Sequence, residues 1–324
     1  MIPPQFALLF AAITGFSIFF AGSKVMAKKY AYSLPILGDF DHATNFQDPQ
    51  VAGAFGIGLI LSLIFLGWAF SSGKPRTSLT NEWQKFNLME RKRISSNTSL
   101  YRFRLPGTNA ILGLPIGQHI SIQAEIDGKQ VQRSYTPTSS DDDRGFFDLI
   151  IKTYPQGNIS KHVEGLRIGE QIQVKGPKGQ MKYSPGLARE LGMIAGGTGF
   201  TPCLQIIRAV LKNPSDKTKI SFIYCNVTEG DILLKDELDT LARDNPDRFT
   251  VTYFLNEPPP AWKGMTGFIT KDAIKEHLPA PAGDIKILMC GPPPMINACK
   301  KHLDELGYEK PRTVSKMEDQ VFSF

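Results

Sequence analysis

The chain is poor in cysteine: Cys203, Cys225, Cys290 and Cys299 are the only four in 324 residues, and each stands singly. With no CxxC pair and no histidine at ligand spacing beside them, a disulfide framework and a zinc site are both excluded, and a reducing compartment is the simpler inference. Low-complexity runs and internal repeats are lacking too, so the composition is that of an ordered globular protein long enough for two domains. The formal net charge is +6, but lysines and arginines are spread instead of clustered with aromatics. That makes nucleic acid a poor fit, whereas an anionic small molecule or an acidic protein suits the excess.

Charge is wholly missing from two stretches, Met1–Ser23 and Pro49–Gly73. Within the second, Val51–Phe70 (VAGAFGIGLILSLIFLGWAF) would span roughly 30 Å as a helix, enough for a bilayer core, and Trp68 suits an interface anchor. The sequence therefore predicts a transmembrane helix at about 51–70. The first stretch, centred on 6–20, reads as a second span or a signal-like peptide, although its start lacks Lys and Arg and its cleavage site is poor. Lys74, Arg76, Lys85, Arg91, Lys92 and Arg93 follow the second stretch and place the remaining chain on the cytosolic side of a membrane. Two spans would leave Lys24, Lys28 and Lys29 in the lumen, so the number of spans stays open. The sequons at Asn97, Asn158 and Asn226 are glycosylation candidates only if this orientation is reversed.

Residues 74–80 (KPRTSLT) read as a linker, which assigns 1–76 to an anchor region. Over 77–183 the pattern predicts strands at 99–105, 119–126, 129–135, 146–154 and 171–175, with an Asp127-Gly128 hairpin turn and one helix at 160–166. Short strands with a single helix suggest a small antiparallel β-barrel. Over 190–324 strands (191–195, 219–225, 249–255, 285–290) alternate with helices (202–211, 231–243, 271–277, 294–306), the rhythm of an α/β doubly wound parallel sheet. Ligands bind such sheets beyond the carboxyl ends of the strands, so the turns after 195, 225, 255 and 290 are the places to look.

Four segments carry chemistry. Arg133-Ser134-Tyr135-Thr136-Pro137-Thr138-Ser139 closes a strand on which Arg133 and Tyr135 share a face, offering a bidentate cation for phosphate and a ring to lie beside a flavin dinucleotide. The alternative is a solvated strand end. Gly157-Asn158-Ile159-Ser160 opens the helix, Ser160 reading as N-cap, where backbone amides can hold a pyrophosphate or simply start a capped helix. Lys152 and Tyr154, two apart on the strand before it, would share a face. Ala195-Gly196-Gly197-Thr198-Gly199-Phe200-Thr201-Pro202 joins strand to helix, as a phosphate cradle or a tight structural turn; Pro202 stands where a third glycine would complete the dinucleotide fingerprint. Cys290-Gly291-Pro292-Pro293-Pro294-Met295 is a rigid turn in which Cys290 reads as a small hydrophobe and not a nucleophile. His119, on a neighbouring strand, reads by itself as a satisfied core residue.

In this order and spacing, RSYTPTS (133–139), GNISKHV (157–163), GPKG (176–179), GMIAGGTGFTP (192–202), CGPPPM (290–295) and KMEDQVFSF (316–324) resemble the ferredoxin-reductase superfamily over about residues 80–324. Within it the NADH-cytochrome b5 reductase family, in its membrane-bound fungal form, is the most similar. The resemblance implies an FAD-binding domain at 77–183 and an NADH-binding domain at 190–324. Arg133, Ser134, Tyr135, Thr136, Ile151, Lys152, Tyr154, Gly157, Asn158, Ile159, Ser160 and Thr201 would contact FAD. Gly196, Gly197, Thr198, Gly199, Asn256, Cys290, Gly291, Pro292 and Met295 would face NADH. It further implies hydride transfer from NADH to flavin N5, with Thr136 beside N5, His119 supporting it, and Lys152 and Cys290 aligning the nicotinamide. Single electrons would pass to cytochrome b5, an acidic haem protein met at the endoplasmic reticulum or outer mitochondrial membrane. Fungal relatives also imply electron supply to the iron protein of diphthamide synthesis.

Two positions depart from the family pattern. Asn158 replaces a lysine found in some members, which weakens one expected contact to an acidic partner. Asn256 replaces an aspartate that repels a 2′-phosphate, so weaker discrimination against NADPH is expected. The competing readings are a related flavoprotein reductase serving another iron protein, which shares every cofactor motif, and a non-catalytic membrane-tethered dinucleotide-binding scaffold.

Overall fold

The computed structural model describes Ile60, residues 75–310 and residues 312–324. The expected membrane segments, Ile60 apart, lie outside the described residues; among those described, no helix is long and apolar enough to cross a membrane. Residues Pro75–Phe324 form one compact unit, in which an antiparallel sheet and a parallel sheet each build a core.

The antiparallel sheet comprises β1 (Gln84–Ser95), β2 (Thr98–Arg104), β3 (His119–Ile126), β4 (Lys129–Tyr135), β5 (Phe146–Lys152) and β6 (Gln171–Lys178), in the order β4-β3-β6-β1-β2-β5. The first part of β1 pairs with β6 and the rest with β2, the latter pairing shifting register between Leu88 and Glu90. Among the described residues no ladder joins the outer strands β4 and β5, so the expected barrel is a curled sheet left open on that side. The open side is partly bridged where the Thr138 amide donates to the Asp148 carbonyl. Alternation fills the interior: Phe147, Leu149 and Ile151 of β5 meet Phe86, Phe103 and Ile120, and Phe147 packs edge-on to Phe86 and stacked on Phe103. Each such side chain contributes about 2–3 kcal/mol by leaving water.

Helix α1 (Asn158–Glu164) covers β3 and β4. Its N-cap is Gly157, not Ser160, and the buried Ser160 sits inside the first turn. Three further expectations are corrected. Strand β5 stops at Lys152, because the Thr153 amide turns to the Asn97 carbonyl and Pro155 follows; Tyr154 is therefore an exposed turn residue, not a strand partner of Lys152. Thr77–Leu79 of the supposed linker are held to the 111–112 segment by backbone bonds from Ser78 and Leu79, and Leu79 enters the core. Strand β1 had no counterpart in the expectations, since its second half is charged and exposed.

The parallel sheet comprises β7 (Glu190–Gly196), β8 (Lys219–Asn226), β9 (Phe249–Leu255), β10 (Met265–Thr266), β11 (Ile285–Cys290) and β12 (Val321–Ser323), ordered β10-β9-β8-β7-β11-β12. Helices α2 (Phe200–Lys212), α3 (Lys235–Asp244), α4 (Lys271–His277) and α5 (Pro293–Glu305) flank it. The chain runs outward from β7 through β8 and β9, then returns to place β11 on β7's other side, which makes the gap between β7 and β11 the topological switch point. Helix α3 begins at Lys235 and not at 231, because residues 229–231 form a separate turn closed by a reciprocal Thr228–Asp231 cap, and Leu234 takes a left-handed conformation before the helix starts.

Candidate active site

At the switch point two turns meet backbone to backbone. Gly196 and Gly199 follow β7 and Cys290 ends β11, whose last ladder partner is Ala195. A Cβ on Gly199 would stand 2.3 Å from the Cys290 carbonyl oxygen, and one on Gly196 would stand 2.9 Å from both Met295 Sδ and Pro292 Cδ. Gly197, by contrast, adopts a left-handed φ of +54°, and a Cβ there would meet nothing within 4 Å. Tyr224 of β8 anchors this turn by donating its hydroxyl to the Gly197 carbonyl at 3.1 Å, its ring stacked between Phe200 and Phe222. Thr201 is buried in the first turn of α2 and bonds back to the Thr198 carbonyl.

Strand β5 packs against the Gly197–Gly199 turn. Its alternation decides what it shows there: Phe147, Leu149 and Ile151 face the first core, whereas Ile150 joins the second and Lys152 shares the face of Ile150. Lys152 Nζ reaches Asp231 Oδ1 at 2.8 Å, an ion pair from one domain to the other. Burial works to raise the Asp231 carboxyl, but hydrogen bonds from Lys152 and Thr228 outweigh it and hold the group below the ordinary carboxylate value. The domains are also tied where Gln205 of α2 accepts from the Gly117 amide at 2.7 Å and where Arg208 donates to the Thr138 carbonyl.

At the end of β4, ladder pairing sets Tyr135 opposite Ile120 and Arg133 opposite Ile122, on the side covered by α1. Ser134 pairs with Ser121 on the reverse side. No carboxylate lies within ion-pair distance of Arg133 among the described residues; one guanidinium nitrogen donates to the Gln132 carbonyl at 2.8 Å, and the rest of the fork is left for an anion. Burial pushes the Tyr135 hydroxyl up to about 12, against the opposing pull of the Arg133 charge, so the ring is a neutral surface. His119 opens β3 next to Ile120, where the β3–β4 ladder ends, and Thr136 follows Tyr135 just beyond β4. The imidazole is held below its ordinary value, first by burial and then by the Lys178 charge, and is thus neutral. Ile151 and Ile159 are buried in the first core and offer only backbone to a ligand, whereas Asn158 and Tyr154 are exposed.

These donor sets fit two dinucleotides. Arg133 and the neutral Tyr135 ring suit a flavin dinucleotide. Asn226, at the end of β8 on the face of Tyr224, is only 7% exposed, yet neither amide atom of its side chain has a partner. An unpaired buried amide costs about 1–3 kcal/mol per group, which a nucleotide's hydroxyls and phosphates would offset. Asn256 lies alongside, its amide bonded to the Asn226 carbonyl, and is exposed. Burial lifts the Cys290 thiol to about 11, which keeps it protonated and non-nucleophilic. The sequence reading missed Asp231, Asn226 as a ligand group, and Tyr224; only Asp231 had a local signal, the Thr-x-x-Asp capping pattern.

Residues 85–183 match the family description "Oxidoreductase FAD-binding domain" and residues 193–301 match "Oxidoreductase NAD-binding domain". NADH-cytochrome b5 reductase 1 of Mycosarcoma maydis is 58% identical over 99% of this chain and 98% of that relative. Its namesake in Candida albicans is 55% identical over 80% of this chain and 90% of its own length. Among solved structures, the cytochrome b5 reductase domain of Ulva prolifera nitrate reductase is 36% identical, covering 76% of this chain and all of that one, with a TM-score of 0.71. The chain belongs to the NADH-cytochrome b5 reductase family and is an FAD- and NADH-dependent oxidoreductase.

Proposed function

We propose that this enzyme carries electrons from NADH through FAD to the haem of a cytochrome b5, with its N-terminal apolar segments in a membrane and residues 75–324 on the cytosolic face. FAD would supply the redox chemistry, two-electron exchange with the nicotinamide and one-electron exchange with the haem. The chain's residues bind and orient. Arg133 holds the flavin dinucleotide's phosphate, helped by the backbone of Gly157–Ser160, while Tyr135 and Tyr154 flank it. Thr136 would offer the flavin a hydroxyl, and the neutral His119 would help to orient it. Gly196–Gly199 and Cys290–Met295 receive NADH at the switch point, and Lys152 with Cys290 aligns the nicotinamide.

The observation that supports this reading most is the packing of the Gly197–Gly199 turn, itself in close approach to Cys290, against β5, the strand that ends at Lys152. The names of the relatives support cytochrome b5 as the acceptor, and the excess of cations supports an acidic partner. Endoplasmic reticulum and outer mitochondrial membranes both suit an enzyme diffusing in the plane of a lipid-anchored acceptor. The test is to place the full chain in vesicles with NADH and compare reduction rates of cytochrome b5 and of the iron protein of diphthamide synthesis. Faster reduction of cytochrome b5 is expected; faster reduction of the iron protein would reassign the acceptor, and reduction of neither would refute both acceptors.

Cofactor choice gives a second test. Asn256 is uncharged at the end of β9, beside Asn226, so repulsion of a 2′-phosphate is weak there. Asn256→Asp should raise the ratio of kcat/KM for NADH over NADPH by about tenfold, the effect of roughly 1.4 kcal/mol. An unchanged ratio would refute the role given to this position.

A further inference from the structure

Asp231 belongs to neither glycine turn, yet it is the partner that the structure gives Lys152. The two groups come from different domains, meet at 2.8 Å, and keep side-chain exposures of 19% and 21%. A lysine stem has four rotatable bonds and loses that freedom only if something fixes the ammonium. Asp231 is itself fixed, since its second oxygen accepts from the Thr228 hydroxyl at 2.8 Å and from the Thr228 amide at 3.1 Å. One carboxylate is thus clamped by a turn on one side and holds an ammonium on the other, at the end of β5, the strand that packs against the Gly197–Gly199 turn. The ammonium has three donors and this contact uses one.

We propose that Asp231 is a positioning residue for NADH, acting through Lys152: it aims the ammonium into the space between the two domains so that the remaining donors meet the dinucleotide. The inference rests on the role given above to Lys152. It also assigns Asp231 a part in selectivity, because its negative charge offsets that of Lys152 and denies a doubly charged 2′-phosphate a free cation.

The experiment measures flavin reduction by NADH and by NADPH, without oxygen, in the FAD-loaded full chain carrying Asp231→Asn, Asp231→Glu, Lys152→Met, or Asp231→Asn with Lys152→Met. Asp231→Asn should slow reduction by NADH about tenfold at unchanged FAD content, and should slow reduction by NADPH less. Because both residues act through one contact, the double variant should be no slower than Lys152→Met alone. Asp231→Glu separates positioning from turn closure: it keeps a carboxylate within reach of Lys152 but disturbs the Thr228 cap, so it should recover most of the rate. A slow Lys152→Met with a normal Asp231→Asn would overturn the proposal and leave the role of Lys152 standing. A normal Lys152→Met would overturn both. Additive losses, or no recovery with Glu, would reduce Asp231 to a turn residue.

Discussion

Gly199→Ala isolates the close approach of the two turns. The glycine has φ −62° and ψ −6°, a backbone conformation open to any residue, so the substitution introduces contact without backbone strain. The new Cβ would lie 2.3 Å from the Cys290 carbonyl oxygen and 2.6 Å from its carbon. Ordinary contact distances are about 3.5 Å, so the turns must part by roughly 1 Å. Neither neighbour is a flexible side-chain end, and Cys290 is held by the β7–β11 ladder opposite Ala195. Over-packing of this kind costs about 1–3 kcal/mol, and a loosened ladder bond adds about 1 kcal/mol. The expected loss, about 2–4 kcal/mol, is a large part of a typical domain's 5–15 kcal/mol or so. Denaturant unfolding of the FAD-loaded protein measures the loss, and NAD+ titration should show affinity down about tenfold or more. Gly197→Ala is the control: its φ of +54° strains an alanine, but nothing lies within 4 Å, so its cost should be only about 1–2 kcal/mol. If Gly199→Ala matches the parent in stability and NAD+ affinity, or Gly197→Ala is the more damaging, the two turns do not depend on this approach.

The two ends of the flavin segment should separate in their effects. Thr136→Ala should slow flavin reduction by NADH more than it loosens FAD, and Arg133→Ala should do the reverse; rapid-mixing absorbance and FAD release measure the two, and parallel losses in both variants would contradict the division. His119 gives a pH signature. Its folded value lies below the ordinary 6.5 or so, so on acidification through that window the unfolded chain takes up a proton that the native protein refuses. Stability is therefore lost as pH falls from about 6.5 toward the lowered value, and His119→Gln should remove that part of the loss. Equal acid slopes for parent and variant in denaturant unfolding would show that His119 is not the group responsible.

Much of this architecture is written in local pattern. Strands β7 and β11 are nearly continuous apolar runs, as strands covered on both faces must be, and β5 shows Phe147 to Ile151 as one buried run. The glycine and proline turns were visible because close backbone approach needs those residues. What escaped depends on distant partners. Strand β1 carries Glu90, Arg91, Lys92 and Arg93 in a row because its outer half is solvated, so only Phe86 and Leu88 betray it. Thr77–Leu79 looked like a linker because the bonds fixing it come from residues 111 and 112. The start of α3 was misplaced because Asp231 is taken up by Thr228 and by Lys152, the latter a partner 79 positions away. The unpaired amide of Asn226 likewise exists only once β8 is placed in the sheet.

The most direct test of the central claim is a stoichiometric titration of the FAD-loaded full chain with NADH in the absence of oxygen, followed by oxidised cytochrome b5. The account predicts that one NADH bleaches one flavin completely and that two equivalents of cytochrome b5 then restore the oxidised spectrum. A flavin that NADH leaves unbleached, or a bleached flavin that cytochrome b5 fails to reoxidise, would contradict it.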